Sequence, residues 1–225
     1  MTITPKKDGD TINSICALIN AHTSATTLMS AMGVGDTTTK MTTSLGTTSL
    51  VGGEVRIYDP VTVAGFSGTG SFIIRSDTDD AKWDRNLGTI ISTATSNGVL
   101  FHNNNMRISL KSITVEYTGS TSTLSGIQIT TSPYVDMTCM TISGGWYSGI
   151  NAMYGGNVTA AGTSISGCAA AVRANDVSHI VVSNCFGGGN AQAYVATSGH
   201  ITRYGTPGIS GTTSDSKSLG GKIWI

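Results

Sequence analysis

The chain has 225 residues and no formal net charge, and only 12% of its residues are charged, about half the share usual in globular proteins. A near-neutral balance, with a pI of 6.9, argues against electrostatic capture of nucleic acid or of an anionic membrane surface. With 39% apolar residues, 29 glycines and no apolar run near the ~20 residues of a membrane helix, the composition excludes a disordered chain and a helical membrane protein and points to strands and turns.

In chain order, residues 1–10 lack an apolar core of the secretory type, so if the protein works outside a cell it is expected to leave by another route, such as release inside a virus particle. Asp10 or Thr11 can cap a helix whose apolar positions Ile12, Ile15, Cys16 and Ile19 follow helical spacing. A short apolar stretch, Leu28, Met29 and Met32, stops at Gly33, and the Thr/Ser-rich run 37–49 reads as linker or extended chain. From Leu50 the period becomes two: Val55 and Ile57 alternate with Glu54, Arg56 and Tyr58, and Val61, Val63, Ile73 and Ile90 mark further strands. Residues 76–86 form the most polar loop. The four cysteines show neither a CxxC pair nor metal-ligand spacing and are expected as small buried thiols.

Between Gly98 and Gly208 the chain repeats itself about every 22 residues. Gly126, Ile127, Val135, Ile142, Ser143 and Gly144 recur as Gly149, Ile150, Val158, Ile165, Ser166 and Gly167, all 23 residues on. Val172 and Ile180 follow after a further 22, and Ile201 after 21. Upstream, Met106, Ile108, Leu110 and Ile113 match Val135, Met137, Cys139 and Ile142 at an offset of 29, with the extra residues placed in a corner loop at 120–125. Each copy holds two or three short alternating segments separated by Gly, Asn or Ser. One copy cannot close a core, but stacked copies bury a continuous one. The predicted fold is all-β, a right-handed parallel β-helix over 51–208. A helical or extended attachment or capping segment precedes it at 1–50, and a tail or cap follows at 209–225.

This stack of charge-poor, Gly/Ser/Thr/Asn-rich coils resembles bacteriophage tailspike and tail-fibre proteins and the wider pectate-lyase-like superfamily. Asp8-Gly9-Asp10-Thr11, followed by Ile15, Ala17, Leu18 and Ile19, is similar to the helical lead-in of many such proteins. The resemblance implies a homotrimer in the virion that binds bacterial surface glycans, sometimes cleaving them, and that joins other virion proteins through residues 1–50. Fold alone does not establish an activity.

Glycan hydrolysis needs two carboxylates about 5–9.5 Å apart. In the repeat alignment Asp136 is followed by Thr159 and Val181, Asp176 is preceded by Tyr154 and Thr131, and Glu116 falls opposite Gly145, so no two acids stack. The one acid cluster, Asp77, Asp79, Asp80 and Asp84 beside Trp83, reads as a solvated loop, a sugar or subunit contact, or a catalytic loop. It fails the EF-hand pattern at Ala81, Lys82 and Gly88, so no metal is assigned. Arg173 and Arg203 are isolated, and no nucleophile-elbow motif occurs.

One column stands out. Tyr134, Asn157, His179 and His200 each precede an aligned apolar residue (Val135, Val158, Ile180, Ile201) and should point outward when those point inward. Three residues before the first three stand Thr131, Tyr154 and Asp176. Aromatic, amide and imidazole groups in a ladder suit a long sugar polymer, although polar residues also cap the turns of any solvated face. Trp146-Tyr147, after Gly144-Gly145, is a second exposed-aromatic candidate, for sugar or for a neighbouring subunit. The expected function is a virion fibre or spike component that recognises bacterial surface polysaccharide without cutting it and without a cofactor. The alternatives are a depolymerase (hydrolase or lyase) with an intersubunit or acid-loop site, and a purely structural virion protein.

Overall fold

The computed structural model describes residues 2–3, 48–51, 54–58, 60–75, 89–119, 123–131, 134–206 and 208–225. They form a parallel β-helix of about six turns with no helix among them. The expected N-terminal helix at 10–19, the acid loop (Asp77, Asp79, Asp80, Asp84) and Cys16 lie outside the described residues.

Each coil presents three short strands, one per face. The first face stacks Val61–Ala64, Val99–His102, Ser125–Thr130, Ser148–Met153, Ala170–Asn175, the C-terminal part of Phe186–Thr197, and Ser216–Ser218. The second stacks Ser67–Arg75, Asn105–Lys111, Val135–Thr138, Asn157–Ala161, His179–Ser183, His200–Tyr204 and Lys222–Trp224. The third stacks Glu54–Ile57, Thr89–Thr93, Thr114–Tyr117, Thr141–Ser143, Ser164–Ser166, the start of Phe186–Thr197, and Gly208–Thr213. At the N-terminal end, Thr2–Ile3 and Thr48–Val51 add antiparallel strands to the third face through Glu54–Ile57. Residues 209–225, expected as tail or cap, stack on the helix as a further partial coil.

The core is built from columns of like residues, because parallel in-register strands put equivalent positions one above another. Val99, Ile127, Ile150, Val172 and Tyr194 fill the first face from inside, and Ile108, Val135, Val158, Ile180 and Ile201 the second. Val115, Ile142 and Ile165 fill the third. The glycines that open three of the copies, Gly98, Gly126 and Gly149, have a steric cause. A Cβ on Gly149 would sit 2.7 Å from the Ala171 carbonyl oxygen and 2.5 Å from Ile165.

The corners are columns of left-handed residues. Asn103, Thr131, Tyr154, Asp176 and Ser198 carry φ between 49° and 55° at the corner joining the first and second faces. Ser112, Cys139, Gly162, Asn184 and Gly205, with φ between 50° and 70°, form the corresponding column between the second and third. This conformation is costly for a residue with a side chain, but the inter-coil hydrogen bonds run through it. Cys139 N donates to Ala161 O (2.9 Å) and Asp176 N to Thr197 O (3.1 Å).

The register from Ile127 to Ile201 follows the sequence repeat. The upstream offset of 29 is corrected to 27: Ile108 pairs with Val135, Leu110 with Met137 and Val115 with Ile142. A shift of two residues preserves strand alternation, so hydrophobic pattern alone cannot reject it. Cys139 is a left-handed corner, not a ladder residue, and Glu116 stands opposite Ser143, not Gly145. Cys139, Cys168 and Cys185 are buried thiols as expected, and burial pushes the Cys168 thiol up to about 12.

Candidate functional site

The outer side of the second face carries the expected ladder. Asn157, His179 and His200 stand in direct register, and each precedes a fully inward residue. Tyr134 precedes Val135 and lies one coil below Asn157. The column is longer than the sequence reading gave it, because Lys222 pairs with His200 at one end and Arg107 precedes Ile108 at the other. Six residues, Arg107, Tyr134, Asn157, His179, His200 and Lys222, therefore follow one another at ~4.8 Å steps, roughly 24 Å in all.

Several of these groups are held by their neighbours. The Arg107 guanidinium lies 5.2 Å from the Tyr134 ring centroid, and its Nε donates to Asp136 Oδ2 at 2.6 Å. That hydrogen bond and the carboxylate charge raise the Arg107 pKa further. His200 packs edge-on against Trp224 at 4.8 Å between centroids, and Lys222 Nζ lies 5.7 Å from the same indole. His179 Nε2 is 3.0 Å from Thr202 Oγ1. Burial, then the neighbouring His200, lowers the His179 pKa, so the neutral ring is favoured at this place in the column.

The corner beside the column holds the other predicted residues. Tyr154 is 60% exposed and Asp176 is exposed, both in the left-handed corner conformation. Tyr154 and Thr131 line a shallow depression with Asn103, Asn104 and Asn105. There the Thr131 hydroxyl donates to Asn103 Oδ1 at 2.5 Å, and the Asn103 amide meets His102 Nε2 at 2.9 Å. Sequence reading placed Thr131, Tyr154 and Asp176 three residues before the column; their shared positive φ makes them a turn column.

Trp146 is the correction among the site residues. It is fully buried and packs on Tyr117 at 4.9 Å between ring centroids, so it cannot offer a face to a sugar. Gly144, at φ +98°, turns the chain so tightly that Trp146 enters the core while Tyr147 points out, 41% exposed. Arg173 covers that tyrosine at 4.4 Å.

The acids of the described residues do not meet across coils. Asp136 lies between Ser109 and Thr159, and Glu116 between Ser92 and Ser143. Asp215 accepts from the Tyr194 amide at 3.1 Å and pairs with Arg203 at 3.9 Å, closing the C-terminal end of the core. Among the described residues no group of three or more His, Cys, Asp or Glu is placed to hold a metal ion.

The residues that sequence reading missed were Arg107, Lys222 and Trp224. Lys222-Ile223-Trp224 repeats the alternation of His200-Ile201-Thr202 at an offset of 22, a signal available in the sequence. Arg107 was hidden by the two-residue register error. Comparison with protein-family models, with curated proteins and with solved structures finds no match to this chain.

Proposed function

We propose that this β-helix binds an extended bacterial surface polysaccharide along its second face without cutting it, as a receptor-binding part of a bacteriophage fibre or spike. The observation that carries the reading is the column of six outward groups, Arg107 to Lys222, with Tyr154 and Trp224 beside it. Aromatic rings take the C–H faces of sugars, and amide and imidazole groups fix their hydroxyls. The regular step along the column suits a polymer rather than a small ligand, and a stiff scaffold holds these groups with little ordering cost. Among the described residues Asp136 and Glu116 have only serine or threonine above and below them, which favours recognition over hydrolysis.

In this reading the working particle is a homotrimer, residues 1–50 join other virion proteins, and the protein acts outside the cell. Incubation with a panel of bacterial capsular and lipopolysaccharide glycans tests it. At least one polymer is expected to bind, with Tyr134→Ala and His200→Ala each weakening it and no new reducing ends appearing. Absence of binding across the panel would overturn the reading, and new reducing ends would replace recognition by depolymerisation.

A further inference from the structure

The inner columns of the first and second faces change chemistry in the last coils. One column of the first face runs Val63, Phe101, Ile129, Ala152, Ala174 and Ala196, all buried, and its next register partner is Lys217. The neighbouring column reaches Val172 and Tyr194, and Asp215 then lies over Tyr194 and accepts from its amide at 3.1 Å. On the second face, Leu110, Met137, Ala160 and Val182 are followed by Arg203. Three charged residues therefore occupy slots that are apolar in every described coil below them.

Ile209 and Ile223 of the last coil still pack on the core, so this coil is held to the one beneath it by apolar contact. Its other side is charged. Arg203 and Asp215 pair at 3.9 Å, the Arg203 guanidinium lies 5.2 Å from the Tyr194 ring centroid, and Lys217 is exposed. The strands of this coil, Gly208–Thr213, Ser216–Ser218 and Lys222–Trp224, pair on one side only among the described residues. Such an open edge is a template for another strand. A coil added there would stand ~4.8 Å away and enclose the three charges. The ion pair would lose its water, and Lys217 would be buried with Asp215 already taken by Arg203.

We infer that Arg203, Asp215 and Lys217 form a charged stop, which keeps the open edge of the last described coil from pairing end-on with a second copy of this chain. A copy arriving by its N-terminal end would set the apolar column that begins at Val63 over Lys217. A copy arriving by the same end would bring two cations and one carboxylate onto their like, an excess of positive charge on both sides. Inward-facing charges are one means by which sheet proteins protect an edge, and the terminal units of stacked folds need a polar outer side. The inference is independent of the glycan reading of the second face.

Analytical ultracentrifugation and negative-stain electron microscopy test this on the full chain. The wild-type protein is expected to form no rods at any concentration. The double substitution Asp215→Val with Lys217→Val is expected to form rods that lengthen as concentration rises. Lys217→Val alone changes an exposed side chain and is expected to give shorter rods, so it decides the matter should circular dichroism show the double variant unfolded. Lys222→Val removes a cation from the outward side of the same coil and should leave sedimentation unchanged. Folded variants that sediment like the wild type overturn the inference, and so does wild-type protein that already forms rods. Equal assembly by Lys222→Val overturns it too, because loss of charge, and not the inward slot, would then be the cause.

Discussion

The first and second faces of this β-helix are built from the same repeat, yet they use their outward polar residues in opposite ways. On the first face the outward groups bond to one another. Asn175 Nδ2 donates to Asn151 Oδ1 (3.0 Å), Asn151 Nδ2 to Ser125 Oγ (3.3 Å), and Arg173 Nε to Ser148 Oγ (3.0 Å) while covering Tyr147. Ser125, Ser148 and Asn151 are consequently buried although their strands lie at the surface. On the second face Tyr134, Tyr154 and Trp224 keep at least 40% of their surface exposed, and the histidines between them are half-buried. A polar ladder that satisfies itself serves stability, whereas one that presents rings and charges outward has capacity left for a ligand. The first face is thus a structural ladder, and the second is the face proposed above for glycan recognition.

Four predictions sharpen or break that contrast. The reference is the shared core: Ile150→Ala, fully buried between Ile127 and Val172, should cost about 2–5 kcal/mol in chemical denaturation. On the first face, Asn151→Ala strips two bonds from a buried ladder and should cost about 1–3 kcal/mol. On the second face, His200→Ala should change stability by only about 0.5 kcal/mol while weakening glycan binding. Equal stability losses at Asn151 and His200 would erase the distinction between the faces.

The third prediction concerns pH. The folded-state pKa of His179 lies below its ordinary 6.5, so the folded state disfavours its protonation. The stability that the neutral ring contributes is present above about pH 6.5 and is lost as pH falls from there through the lowered folded value. Thermal melts should therefore show a fall below pH 6.5 that His179→Gln diminishes; identical pH profiles for the two proteins would contradict it. The smallest effect expected is at Cys168. Held up to about 12 by burial, it should resist thiol reagents at pH 8 in the folded protein and react only on unfolding.

Much of this was legible in the sequence because parallel stacking converts sequence periodicity directly into spatial columns. Val135, Val158, Ile180 and Ile201 announced the inner column of the second face, and their predecessors announced the outer one. What alternation could not fix was register across the longer coil: Ile108 fits equally well against Val135 or Met137 by polarity. The corners were equally hidden, since Thr131, Tyr154 and Asp176 share a backbone conformation and not a side-chain type. Trp146 misled for a related reason. Glycines that look like a strand break form a corner tight enough to turn the indole inward.

The central claim, that ligand lies along the second face, is tested most directly by hydroxyl-radical footprinting with and without a bound surface polysaccharide. Protection is expected at Tyr134, Tyr154, His200 and Trp224, with Tyr147 on the first face unchanged. Protection of Tyr147 with the second-face residues unaltered would place the ligand on the wrong face and contradict the account.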